Sequence, residues 1–89
     1  MKPANIFWTK TFHDLYNKKS KAHKKAIDRA LRMMAGNLYH PSLRTRQMEG
    51  HGDIKEAHAT KQQVMSLTLD ATDVHMRVCC SHDQVYRNP

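Results

Sequence analysis

"IKEAHATKQQVMSLTLDATDVHMRVCC", Ile54–Cys80, carries the pattern from which the fold class can be inferred. Its segments "IKEAHAT", "VMSLTLD" and "VHMRVCC" each alternate with a period of two. Successive side chains of a β-strand point to opposite faces of a sheet, so this period predicts three strands. The link "DATD" between the last two segments is short and polar, which is typical of a hairpin. We therefore predict an antiparallel meander of three consecutive strands.

The same alternation predicts which residues face the core. Along the first of the three strands, one face carries Ile54, Glu56, His58 and Thr60. In the other two strands, the inward set is Met65, Leu67, Leu69, Val74, Met76, Val78 and Cys80. His75, Arg77 and Cys79 are then expected to point outward. Outward polar residues are the ordinary pattern of a half-exposed strand, and a basic sheet face can also cradle a phosphate backbone. The residues alone leave both interpretations open.

Upstream of the meander the chain reads as one strand followed by two helices. The run "NIFWT" predicts a short strand, after which Thr9 or Thr11 can cap a first helix. The stretch "KAHKKAIDRALRMMAGN" predicts a second helix from about Lys21, with Gly36 and Asn37 as its stop. The Pro- and Gly-containing segment from 38 to 53 predicts a long connection, with a strand beginning near Arg44 to Met48.

This order of elements predicts a single α+β domain spanning residues 1–89, since 89 residues are too few for two stable cores. We expect a β-α-α-β-β-β arrangement in which the two N-terminal helices pack on one face of a small, twisted, mainly antiparallel sheet. The opposite face is expected to be free.

The charge of the chain points to polyanionic partners. Fifteen Lys plus Arg against eight Asp plus Glu give a formal net charge of +7. Nucleic acid, an acidic protein segment and an anionic membrane surface are the candidate classes. No apolar run reaches the roughly 20 residues of a membrane span, and the N-terminal apolar stretch is too short for a signal peptide. We expect a cytoplasmic protein with no membrane partner.

The sequence carries no pattern for a metal or a cofactor. Its seven histidines lack the close spacings of zinc ligands, and neither a P-loop nor a dinucleotide fingerprint is found. Cys79 and Cys80 are adjacent, which disfavours a structural disulfide between them. No oxyanion element accompanies Cys79, Cys80 and His82, so we expect one thiol to fill the core rather than to act as a nucleophile.

Two stretches, "NLYHPSLRTRQMEGHGDIKEA" and "RVCCSHDQVYRNP", together with the order of elements, resemble the RelE/ParE superfamily of bacterial and archaeal toxins from type II toxin–antitoxin systems. The matching parts are "HPSLR" after the second helix, "MEG" followed by "DI" and "EA", and "HD" with "VYR" after the last strand. The resemblance covers nearly the whole chain. It implies the fold derived above and a cognate antitoxin whose acidic segment wraps the toxin.

The resemblance also implies one of two activities. RelE-like members cut mRNA, often on the ribosome, without a metal, whereas ParE-like members poison DNA gyrase. RNA cleavage needs a group that deprotonates the ribose 2′-hydroxyl, cations for the charged transition state and an acid for the leaving oxygen. By resemblance, His82 is the acid or base, Arg77 the phosphate clamp and Tyr86 a stacking platform or proton donor. The expected RNA-binding residues are His58, Lys61, Lys55, Arg46 and Arg87.

The chain departs from the family pattern at several basic positions. Many relatives carry an aromatic residue at the position of Lys55, Arg at the positions of His58 and Lys61, and an aromatic–Arg pair at Gln63 and Val64. Lys and His lack the planar fork with which Arg binds phosphate. Our primary hypothesis is a metal-independent mRNA endoribonuclease that relies on its C-terminal His82. The alternatives are a ParE-like gyrase poison and a catalytically weakened member that mainly binds its antitoxin.

Overall fold

The protein is an α+β fold in which two helices cover one face of a five-stranded sheet. The computed structural model describes residues 1–81, 85 and 87–89. Its elements are β1 (Asn5–Trp8), α1 (Lys10–Asn17), α2 (Lys21–Gly36), a 3-10 turn (Pro41–Leu43), β2 (Arg46–Gln47), β3 (Ile54–His58), β4 (Gln63–Asp70) and β5 (Asp73–Ser81). The strands lie in the order β1-β5-β4-β3-β2. β1 runs parallel to β5, and the other pairs are antiparallel. The predicted fold class and meander are confirmed.

Hydroxyl caps begin both helices. Thr9 Oγ1 accepts a hydrogen bond from the Phe12 amide at 3.2 Å, so Thr9 rather than Thr11 caps α1. Ser20 Oγ accepts from the His23 amide at 3.2 Å at the start of α2. The helices are joined where the Tyr16 hydroxyl donates to Asp28 Oδ1 at 2.7 Å. This hydrogen bond to a carboxylate favours the neutral phenol and raises the pKa of Tyr16.

The main core lies between the helices and the sheet. Apolar side chains spaced three and four residues apart along the helices pack onto alternate residues of β3, β4 and β5. The buried members of this cluster are Phe12, Ile27, Ala30, Met34, Leu38, Leu43, Ala57, Met65, Leu67, Val74, Met76 and Cys79. The alternation therefore predicted the inward side of β4 correctly, together with the first half of β5.

The second half of β5 differs from the prediction because a β-bulge interrupts the strand. Ser66 of β4 pairs with Val78, but Leu67 pairs with Met76, so Arg77 is an extra residue without a partner on β4. Such an insertion shifts the alternation by one position. Val78 therefore leaves the main core for the opposite face, and Cys79 enters the core at 1% exposure. The prediction of Val78 inward and Cys79 outward was wrong, whereas Arg77 is exposed as expected.

The face of the sheet opposite the helices, here called the helix-free face, is partly covered rather than free. Met48, Val64, Val78 and Val85 form a second, smaller buried cluster on it. Val85 follows β5, so the C-terminal part of the chain returns over this face. The expectation of an open face is corrected accordingly: a small apolar cluster supports its middle, and polar side chains lie around that cluster.

Thr9 connects the bulge to α1. Its hydroxyl donates to the carbonyl oxygen of Arg77 at 3.0 Å while it accepts from Phe12, and its amide donates to the carbonyl of Met76 at 3.1 Å. A bulge removes a residue from the ladder, and Thr9 supplies the lost partner for the Arg77 carbonyl. The side chain that begins α1 therefore also holds the backbone from which Arg77 projects.

We expect Thr9→Val, which keeps the shape of the side chain but removes its hydroxyl, to lower the free energy of unfolding by about 1–3 kcal/mol. That range combines the loss of a helix cap with the loss of a second hydrogen bond. Chemical denaturation measures it. Thr9→Ser should retain most of the stability, and Ser20→Ala, which removes a cap alone, should cost less than Thr9→Val. An equal loss in Thr9→Val and Ser20→Ala would contradict the second role of Thr9.

Candidate functional site

A line of polar side chains crosses the helix-free face from β2 to β5. Arg46 of β2 lies opposite Glu56 of β3, and Glu56 lies opposite Ser66 of β4. Ser66 in turn faces Val78, next to the bulged Arg77. Directly opposed residues in a sheet place their Cβ atoms about 4.5–5.5 Å apart. We call Arg46, Glu56, Ser66 and Arg77 the polar row.

Glu56 is the buried centre of one half of the row. Its side chain has 0% exposure, although it is an acidic residue in a basic chain. The Arg46 Nε donates to its Oε1 atom, and the His58 Nε2 lies 3.8 Å from its Oε2 atom. A buried carboxylate requires such partners, because an isolated charge in the protein interior is strongly unfavourable. Glu56 thereby holds one guanidinium and one imidazole at the edge of the face.

Ser66 and Arg77 form the other half. The Ser66 hydroxyl donates to the carbonyl oxygen of Pro89 at 2.7 Å, and Arg77 Nε donates to the same oxygen at 3.1 Å. Ser66 is fully buried, which fixes its position, while the side chain of Arg77 is exposed. Two donors that converge on one oxygen match what a phosphate oxygen requires.

A cleft of about 480 Å³ opens beside this pair of donors. Its walls come from the start of α1, from β3 and β5, and from the C-terminal residues. They consist of Thr9, Thr11, Ile54, Arg77, Val78, Arg87, Asn88 and Pro89. Two guanidinium-bearing residues, Arg77 and Arg87, therefore flank one concave surface that also contains the hydroxyls of two threonines. The arrangement can bind an anionic group that is partly inserted into the cleft.

The structure brings most of the expected RNA-binding residues together. Arg46 and His58 meet at Glu56, while Arg77 and Arg87 share the cleft. Lys61 and His58 line a smaller depression of about 160 Å³ at the β3–β4 turn. Lys55 is separated from the others, since it pairs with the core residue Leu67 on the helix side of the sheet.

Four further positions bear on the sequence prediction. His82 and Tyr86 lie outside the described residues, so their assigned roles stay predictions. Gln63 and Val64, which stand where many relatives carry an aromatic–Arg pair, are both buried. Val64 packs in the cluster of the helix-free face, and Gln63 has 9% exposure. These two positions place no cation on the surface.

Glu56 and Ser66 are the site residues that the sequence analysis missed. The alternation placed Glu56 on the same face as His58, which the register confirms. An acidic residue between Lys55 and His58 in a predicted strand was the available signal for a buried ion pair. Nothing in the sequence distinguished Ser66 from an ordinary core serine, because its partner oxygen comes from a residue 23 positions away.

Within the described residues, no three His, Cys, Asp or Glu side chains are grouped as metal ligands would be. No helix in this part of the chain is long and apolar enough to cross a membrane. The side chains of the helix-free face offer guanidinium, imidazole, hydroxyl and buried carboxylate groups.

Several solved structures share this architecture over nearly the whole chain. The E. coli DinJ–YafQ toxin–antitoxin complex contains a chain with a TM-score of 0.76 at 10% identity, covering 97% of this chain and 99% of that one. The RelB–RelE antitoxin–toxin complex of Methanococcus jannaschii gives a TM-score of 0.71 at 10% identity, covering 93% and 98%. The chain has a RelE-type fold.

A third similar structure is the YoeB/ParE toxin of Agrobacterium tumefaciens, with a TM-score of 0.68 at 15% identity and coverage of 92% and 99%. No protein-family profile matches the sequence of this RelE-type chain, and no curated protein is similar to it in sequence. At identities this low the structural similarity shows the fold alone. The residues of the helix-free face are the basis for proposing an activity.

We expect Arg46→Met to lower the free energy of unfolding by about 1–3 kcal/mol, because it removes a charge-assisted hydrogen bond from a fully buried carboxylate. Lys10→Met is the matched control. It breaks the exposed Lys10–Asp14 pair of 3.3 Å on α1 and should cost less than about 0.5 kcal/mol. Urea denaturation of both variants measures the difference. Equal stability of the two variants would show that Arg46 does not hold Glu56.

Proposed function

We propose that this chain is the toxin of a type II toxin–antitoxin pair and that it cleaves mRNA without a metal ion. The observation that carries the proposal is the convergence of Ser66 and Arg77 on one acceptor oxygen, on the basic face of a RelE-type fold. In this proposal the oxygen of Pro89 occupies the position of a phosphate oxygen. RNA must then displace the C-terminal residues from these two donors.

The proposed chemistry is an internal transfer within the RNA. The ribose 2′-hydroxyl loses its proton and its oxygen attacks the adjacent phosphorus. The bond from phosphorus to the 5′-oxygen then breaks, which leaves a 2′,3′-cyclic phosphate and a 5′-hydroxyl. A base, an acid and fixed positive charge are needed, and no metal is required for this balance.

The described residues support distinct roles in this reaction. His58, whose side chain is 18% exposed, is the proposed base, and Glu56 orients it from beneath. Glu56 carries a negative charge that would repel a phosphate, and its carboxylate contacts Arg46 and His58, so it is a positioning residue rather than one that touches RNA. Arg77 and Ser66 hold the phosphate, and Arg46 and Arg87 add positive charge nearby. His82 is proposed as the acid for the leaving oxygen, and Tyr86 as its neighbour for stacking or proton donation.

The proposed protein partner is a cognate antitoxin with an acidic segment. Two of the similar structures are toxin–antitoxin complexes, DinJ–YafQ and RelB–RelE. The formal net charge of +7 on this chain complements an acidic partner. An antitoxin that covers the polar row would also exclude RNA, which is the simplest physical route to neutralisation.

One observation favours a second candidate, a gyrase poison. A similar structure carries the name YoeB/ParE toxin, and the buried Val64 supplies no cation at its position on the helix-free face, where an Arg would. The same observation also fits a weakened member that mainly binds its antitoxin. The three alternatives predict different effects on translation, on the accumulation of gyrase–DNA cleavage complexes and on growth. One set of assays therefore distinguishes them.

We expect the purified protein to inhibit a cell-free translation extract and to cut an end-labelled mRNA in the presence of ribosomes. His82→Ala and His58→Ala should each lower the cleavage rate by about 10²–10⁴-fold, the usual contribution of a general acid or base. His23→Ala, which alters an exposed histidine on α2, is the matched control and should cleave as the unaltered chain does. Circular dichroism melting shows that each variant is folded.

Undiminished cleavage by folded His82→Ala would remove His82 from the mechanism. Unaffected translation together with accumulating gyrase–DNA cleavage complexes would replace the ribonuclease proposal with the gyrase one. If translation, gyrase and growth are all indifferent to the protein, antitoxin binding is its remaining role.

A further inference from the structure

A stacked pair of rings, the exposed Phe7 and the half-buried His75, lies at the β1 edge of the helix-free face. Phe7 of β1 pairs in register with His75 of β5, and their ring centroids are 5.2 Å apart with planes inclined by 26°. Phe7 is 47% exposed, so part of its ring is open to solvent. Ile6, Val74 and Met76 contact the main core, so the alternation places both rings on the opposite face.

The ring pair belongs to the same surface as the polar row. His75 precedes Arg77 by two residues on β5, which corresponds to about 7 Å along a strand. His75 pairs with Thr68 of β4, and Thr68 pairs with Ile54 of β3. These three residues form a row across the sheet next to the row that contains Ser66 and Glu56. One short oligonucleotide can therefore contact the rings and the phosphate donors together.

We infer that Phe7 and His75 form a stacking platform for an unpaired RNA base next to the phosphate held by Ser66 and Arg77. This inference rests on the proposed function and adds a subsite to it. Base–aromatic stacking requires a single exposed ring face with cations nearby, which is what β1 and β5 present. The positive net charge of the chain supplies the long-range attraction.

The surroundings of the rings favour a base over a protein partner. A protein interface is centred on a contiguous apolar patch, but the neighbours of this pair on the same face are polar. Asn5 Nδ2 donates to Asp73 Oδ1 at 3.0 Å at one end, Thr68 lies beside His75, and Arg77 lies at the other end. Asp73 also favours one direction for the bound RNA, because its negative charge repels the phosphate backbone while Arg77 attracts it.

Trp8, the residue after Phe7 on β1, lies on the other face of the sheet and has a different role. Trp8 points toward the helices, where its ring lies 4.9 Å from Phe12 and 5.0 Å from Tyr16. These contacts occupy Trp8 in packing α1 against β1. Among the described residues, Phe7 has no such ring contact with α1 or α2, so its ring is not part of the packing of the main core.

The test uses a 2′-O-methyl RNA octamer, which lacks the attacking hydroxyl and cannot be cleaved, with one 2-aminopurine base as a fluorescent reporter of stacking. We expect the unaltered protein to bind it and to quench the fluorescence. Phe7→Leu should weaken binding by about 5- to 100-fold and abolish the quenching, as the loss of one stacked base predicts. Phe7→Trp should retain both. Tyr39→Leu is the matched control, since Tyr39 is 46% exposed and lies outside the sheet.

The salt dependence of RNA binding distinguishes the contribution of the stacking platform from that of the phosphate donors. Arg77→Met should reduce the slope of the logarithm of the affinity against the logarithm of salt concentration by about one, because one phosphate contact is lost. Phe7→Leu should leave that slope unchanged. Binding by the unaltered protein with no effect of Phe7→Leu would overturn the platform while the proposed function stands. No binding by the unaltered protein would overturn both.

Discussion

The bulge at Arg77 is the feature on which both the core and the functional face depend. Without the extra residue, the alternation along β5 would send Cys79 to the surface and Val78 into the main core. With it, Cys79 closes the core and its thiol donates to the carbonyl of Phe12 at 3.8 Å, while Val78 supports the smaller cluster opposite. Arg77 then projects from a backbone whose carbonyl is held by Thr9. A cation is thereby fixed in position without being buried.

The helix-free face combines a rigid base with exposed charges. Its buried elements are Glu56, Ser66 and the apolar cluster around Val64 and Val78. The groups that can reach a ligand, such as Arg46 and Arg77, stand on these supports. Preorganised donors of this kind lose little conformational entropy on binding. The same arrangement can bind a phosphate backbone or an acidic protein segment, as the proposed function requires.

The sequence predicted the fold well because the period of two and the helical stripes reflect burial, which dominates small domains. It could not predict the bulge, since Val78, Cys79 and Cys80 are all compatible with a buried position and satisfy either register. Nor could it predict that Glu56 is paired with Arg46. That contact depends on a two-residue strand, β2, whose register is set by tertiary packing. Alternation predicted the exposure of Arg77, the family resemblance named His58, and neither indicated that Ser66 donates to Pro89.

The proposed function requires RNA to bind the helix-free face of the sheet. Backbone NMR shifts of ¹⁵N-labelled protein, titrated with a non-cleavable RNA octamer, measure this binding residue by residue. We expect the largest changes on β1, β5 and the polar row, with little change along the outer side of α2. Changes confined to α2, with the amides of Phe7, Ser66 and Arg77 unmoved at saturation, would contradict it.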